Sequence, residues 1–107
     1  MEDLLRAAAQ CLEDAERARG KRHYRDAYAA YQRALDTIHG MRPRRERDVL
    51  LARIYLDRFQ IAKDPTSARA VSDLRFGYSY ARSTGDPTVR EVAEELWREH
   101  VARKDAS

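Results

Sequence analysis

The residues of this chain that could do chemistry are three histidines, one cysteine and a run of glutamates. Glu94, Glu95 and Glu99 lie close to His100, and carboxylates beside an imidazole are the groups that acid–base catalysis draws on. Imidazoles also bind metals, but His23, His39 and His100 have no metal-ligand spacing between them. Charged side chains on a terminal helix ordinarily form a solvated face. No glycine loop that could cradle a phosphate is present, and no nucleophile elbow. Cys11 is the single cysteine, so the chain has no internal disulfide and no Cys-based zinc site. It reads as a small apolar core residue in preference to a reactive thiol. A reducing cytoplasm suits such a chain. These residues imply a protein that is not an enzyme, with no cofactor and no metal. Carboxylates brought together from distant helices would leave no trace in the sequence.

Arginine is the other candidate. Eighteen of the 21 basic residues are arginine, and its planar fork suits phosphate and carboxylate oxygens. Arg42, Arg44, Arg45 and Arg47 gather around Pro43; Arg17, Arg19, Lys21, Arg22, His23 and Arg25 form a second group. At the helical rise per residue the two lie roughly 20–25 Å apart. Glu46 and Asp48 dilute the first group; Glu13, Asp14, Glu16 and Asp26 dilute the second. The plain reading is a salt-bridged surface. The functional reading is that Arg42, Arg44 and Arg45 meet phosphates or an acidic partner. No zinc finger, basic zipper or RNP motif supports nucleic-acid binding.

The elements that must position these residues are helical. A chain of 107 residues with 43% hydrophobic and 36% charged residues fits one helical domain. Four glycines and three prolines leave little room for long loops. No apolar run approaches the ~18–20 residues that cross a membrane, and acidic Glu2 and Asp3 are the opposite of a secretory signal. Breaks at residues 20–22, 40–43, 63–66 and 84–87 carry helix-stop and helix-start chemistry. Asp64-Pro65 and Asp86-Pro87 each read as an N-cap followed by proline in the first turn. Five helices follow, over about 2–19, 24–38, 44–62, 65–83 and 87–103. Residues 104–107 are expected to fray. No segment alternates with period two, so no strand is assigned.

The clearest periodicity lies in the second helix. Tyr24, Ala27, Tyr28, Tyr31, Ala34, Leu35 and Ile38 recur at steps of three and four and share one face. Leu5, Ala8, Cys11, Leu12, Ala15 and Ala18 do so in the first helix. In the fourth helix the stripe is Ala70, Val71, Leu74, Gly77, Tyr78 and Ala81; in the fifth it is Val89, Val92, Ala93, Leu96, Trp97 and Val101. Apolar residues of the third helix cover more than half its circumference, so it should sit in the middle, covered on two sides. Short loops force antiparallel neighbours. The expected architecture is all-α: two antiparallel hairpins plus a C-terminal capping helix, or alternatively a five-helix bundle.

The segment Tyr-Arg-Asp-Ala-Tyr-Ala-Ala-Tyr-Gln-Arg-Ala-Leu, from Tyr24 to Leu35, resembles the second helix of a tetratricopeptide repeat. Ala27, Tyr31 and Ala34 match that motif's small, aromatic and small positions, and Tyr24 matches its opening aromatic. The second half of the chain, ending Tyr80-Ala-Arg-Ser-Thr-Gly-Asp-Pro87, resembles the looser and longer repeats of bacterial regulatory proteins. The first helix departs from the motif: of Cys11, Asp14, Ala15 and Ala18 only Ala15 fits, and His39 stands where proline is usual.

The resemblance implies a protein–protein interaction module, an adaptor or regulator. Such hairpins stack in a right-handed curve, and a peptide or partner helix lies along a wall made by the first helix of each pair. The wall residues would be Leu12, Glu16 and Arg19 with some of Tyr55, Arg58, Phe59 and Ala62. Leu12 and Glu16 lack the lysine and asparagine of the family's carboxylate clamp. The competing reading makes Leu12, Tyr55 and Phe59 core. Phe76, Tyr80 and Trp97 are a candidate patch for a homodimer or another partner; the plain alternative again is burial. Nucleic acid is the less favoured partner, and a membrane is not expected.

Overall fold

The computed structural model describes residues 2–106. Five helices account for nearly all of them: α1 (Glu2–Gly20), α2 (Tyr24–Ile38), α3 (Arg45–Gln60), α4 (Ala68–Thr84) and α5 (Pro87–Ala106). No strand occurs among the described residues. The chain is all-α, as its periodicity requires. α5 runs to Ala106, three residues beyond the end read from the sequence; Ser107, the last residue of the expected frayed tail, lies outside the described residues.

The helix ends follow local chemistry. Asp86 Oδ1 accepts hydrogen bonds from the Thr88 and Val89 amides, both 3.1 Å, and so caps α5 ahead of Pro87. Gly85 closes α4 at φ 69°, where a Cβ would be strained. Two expected ends are corrected. α4 begins three residues later than the Asp64-Pro65 signal, because Ser67 supplies the cap: its Oγ accepts from the Ala70 amide at 3.2 Å. Asp64 is occupied instead with the amide and hydroxyl of Thr66, at 2.9 and 2.6 Å. At the end of α1 the left-handed residue is Arg22, φ 61°, not Gly20. The His23 amide donates to Ala18 O and the Arg22 amide to Arg19 O, both 2.9 Å, the paired bonds that close a helix through a left-handed residue.

Two apolar clusters meet at α3. The first joins Ala8, Leu12 and Ala15 of α1 and Ala27, Tyr31, Ala34 and Ile38 of α2 to Leu51 and Ile54 of α3. The second joins Ala52, Leu56 and Phe59 of α3 to Ala70, Leu74 and Ala81 of α4 and Val89 and Ala93 of α5. α3 alone touches all four other helices, which is why its apolar residues spread so far around it. Gly77 lets α4 lie close: a Cβ there would sit 2.7 Å from Leu56 Cγ.

The arrangement is a row. α1 approaches α3, and α3 approaches α5, but neither α1 nor α2 has a Cα within 8 Å of α4 or α5. The described chain measures 45 × 31 × 21 Å. The even-numbered helices α2 and α4 are therefore apart, and the segment 61–64 borders the space between them.

Candidate partner-binding surfaces

The wall expected from α1 and α3 is mostly not a surface. Leu12, Tyr55, Arg58 and Phe59 are buried, each at 9% exposure or less. Leu12 and Tyr55 belong to the first cluster and Phe59 to the second, so the core reading of these three is the correct one. Glu16 and Arg19 do lie outside, but the chain itself engages them. Arg53 Nη2 donates to Glu16 Oε1 at 3.0 Å, and Arg19 Nη2 donates to Gln60 Oε1 at 2.9 Å. Arg19 also lies 3.9 Å from Asp57. Burial pushes the Asp57 carboxyl up to about 6, with Arg19 and Arg53 opposing the shift and Glu16 adding to it. Between this wall and α5 lies a small notch of about 150 Å³, with Leu56, Val89 and Val92 in its lining.

The aromatic candidates do not form one patch. Phe76 is half exposed and stacks on Tyr55, with centroids 5.3 Å apart; Tyr80 stacks on the same ring at 6.1 Å. Trp97 packs instead on Tyr78, 4.7 Å away. Residues two apart on a helix face different ways, so α4 sends Phe76 and Tyr78 to opposite sides. Val101, expected inward, is exposed.

The loop arginines are engaged at helix ends. Arg45 Nε donates to Thr84 O at 3.2 Å, completing the carbonyl end of α4. Arg44 faces Glu46 at 3.4 Å, and Arg47 Nη1 donates to Met41 O at 3.3 Å. Arg42 is exposed.

The largest chemistry lies where α2 and α4 splay. Arg58 reaches from α3 into that space and holds three helices. Its Nε and Nη2 donate to the two carboxylate oxygens of Asp73 on α4, at 3.0 and 2.7 Å, and its Nη1 donates to Gln32 Oε1 on α2 at 2.9 Å. Both charged groups are buried. Burial opposes the guanidinium charge, but the hydrogen bonds and charge of Asp73 prevail, and its pKa is raised. Above this pair opens a cleft of about 440 Å³. Tyr24 stands at its edge, 49% exposed, although its position in the stripe predicted burial. Ile61, Ala62 and Ala70 line it, with Tyr28. Tyr28 has two guanidinium groups over its ring, Arg58 at 5.0 Å and Arg69 at 4.8 Å. Arg25, Lys63 and Arg69 surround the opening.

Sequence reasoning missed this cleft. Its walls lie far apart in the chain; Arg58 and Ala62, expected in a groove against α1, border this one instead, and Tyr24, an aromatic at the first position of a helix, is a further signal.

Among the described residues, no group of His, Cys, Asp or Glu could hold a metal ion, and no helix is long and apolar enough to cross a membrane. No family model, no curated protein and no solved structure matches the chain.

Proposed function

We propose that this chain is a small non-enzymatic interaction module, an adaptor or regulator, that holds a peptide or partner helix in the cleft between α2 and α4. The observation that carries the reading is the contrast between two surfaces. The α1–α3 wall has matched its own charges, whereas the α2–α4 cleft combines apolar walls, a half-exposed tyrosine and cations that form no ion pair among the described residues. A volume of about 440 Å³ is in the range of pockets that hold ligands. The row of helices adds support: contacts of α3 with α1 and with α5, with α2 and α4 apart, are what stacked tetratricopeptide-like hairpins would give. That family's usual wall is not the one proposed here.

Site-specific photo-crosslinking in the native cell tests this. A benzophenone side chain replaces Tyr24, Glu16 or Phe76 in separate variants. The reading expects a discrete adduct with another polypeptide from position 24. Adducts only from position 16 would return the site to the α1–α3 wall, and adducts from none of the three would contradict an interaction module.

Phe76 favours a second reading, a self-associating protein. Its ring is half exposed and borders an open groove with Val71, an apolar surface that a second copy would cover. A dimer seen by sedimentation and abolished by Phe76→Glu would support that reading.

A further inference from the structure

We propose that the occupant of the α2–α4 cleft is an acidic peptide segment carrying one aromatic or branched aliphatic anchor. The inference rests on the reading that this cleft is the partner-binding surface, and adds the chemistry of the partner.

Charge supplies the first argument. Arg25, Lys63 and Arg69 form no ion pair among the described residues. The two carboxylates lining the cleft do not balance them. Asp73 is neutralised by the Arg58 fork; Asp64 keeps its charge while accepting from the neutral Thr66, so three lining cations face one unneutralised carboxylate. Helix ends add to the same sign. The N-termini of α2 and α4 both border the cleft, against the single C-terminus of α3. α4, capped by Ser67, has no acidic residue in its first turn, whereas Asp26 in the first turn of α2 offsets that helix's end. Each N-terminus carries about half a positive charge. A segment entering this space meets a positive field on several sides, and carboxylates lower its energy there.

The walls supply the second argument. Ile61, Ala62 and Ala70 offer no side-chain hydrogen-bonding groups, and the Tyr24 ring flanks them. Alanines keep the wall low, which leaves room for a large apolar side chain. An anchor buried in such a pocket, ringed by charges, is how short peptides obtain affinity.

A single nucleic-acid strand would also bring negative charge and planar groups. It needs successive rings on which to stack its bases. Here Tyr28 already lies under Arg58 and Arg69, so only Tyr24 remains. The observations favour the peptide.

The test is a display library of random peptides about 12 residues long, panned on the whole chain. Parallel pannings use Tyr24→Ala and the double variant Arg25→Glu with Lys63→Glu. All three residues are exposed, so helicity by circular dichroism should be unchanged. The expected enrichment is in peptides with an acidic excess around one aromatic or aliphatic residue, and it disappears with both variants. For the leading peptide, replacing Asp and Glu by Asn and Gln should weaken binding about tenfold, as two or three surface ion pairs would. Added salt should weaken it likewise. Neutral or basic peptides that enrich and still require Tyr24 would overturn the acidic occupant and leave the cleft as the binding surface. No enrichment, or enrichment indifferent to both variants, would overturn both. A labelled oligouridylate of about 12 nucleotides binding the cleft as tightly as the leading peptide would overturn the peptide assignment.

Discussion

Arg58 and Asp73 hold the middle of the molecule at the cost of burying two charges. The fork is bidentate and a third helix is tied in through Gln32, so the pair is well satisfied. Removing one partner strands the other charge in the interior. Arg58→Ala or Asp73→Ala is expected to lower unfolding free energy by about 3–5 kcal/mol. Arg58→Met together with Asp73→Leu should recover most of that loss, because no charge is left unpaired. Urea denaturation of the three variants checks both statements. Asp57 responds to pH. Its folded value of about 6 lies above its ordinary 3.8, so the folded state takes up this proton first. The group's contribution to stability is full below about pH 4 and is lost as pH rises through about 6. Asp57→Asn should therefore flatten the pH dependence of the melting temperature between these limits. It should also make the protein more stable than the parent at pH 7. An unchanged difference profile would mean that Arg19 and Arg53 neutralise the carboxylate fully.

Helix boundaries show what local chemistry can and cannot decide. Gly85, Asp86 and Pro87 act as their types predict, because no competing signal stands nearby. Asp64 and Ser67 compete for one helix start; Thr66 occupies Asp64 and leaves Ser67 to cap. That outcome depends on a side-chain hydrogen bond three residues away, which spacing alone does not rank. Periodicity placed α3 at the centre and named most of the buried residues. It does not say which neighbour covers which face; the family resemblance puts Tyr55 and Arg58 on the α1–α3 wall, whereas Tyr55 packs on Phe76 and Tyr80 of α4 and Arg58 reaches between α2 and α4. Gly77 records the close approach of α3 and α4. Gly77→Ala gains helix propensity worth about 1 kcal/mol, but its Cβ meets Leu56 Cγ at 2.7 Å and the Leu56 amide nitrogen at 3.2 Å. Backbone cannot yield cheaply, and overpacking of this kind costs about 1–3 kcal/mol. A net loss of stability is expected in thermal melts, while Gly20→Ala, which meets nothing within 4 Å, should gain.

The molecule as a whole is a row of helices that closes one side and opens the other. α3 approaches both α1 and α5, and the ion pairs Glu16–Arg53 and Arg19–Asp57 bridge the outer face of α1 and α3. α2 and α4 diverge, and the opening between them joins residues that no repeat or stripe connects in sequence. Tyr24 and Arg69 meet there only because α3 spaces their helices apart. This is why the fold class was legible from the chain and the cleft was not. Amide chemical-shift mapping with a captured partner peptide tests the central claim. Shifts should concentrate at Tyr24, Tyr28, Ala62, Lys63, Arg69 and Ala70, around the α2–α4 opening. Shifts centred instead on Glu16, Arg53, Asp57 and Val92 would place the partner on the opposite wall and contradict the account.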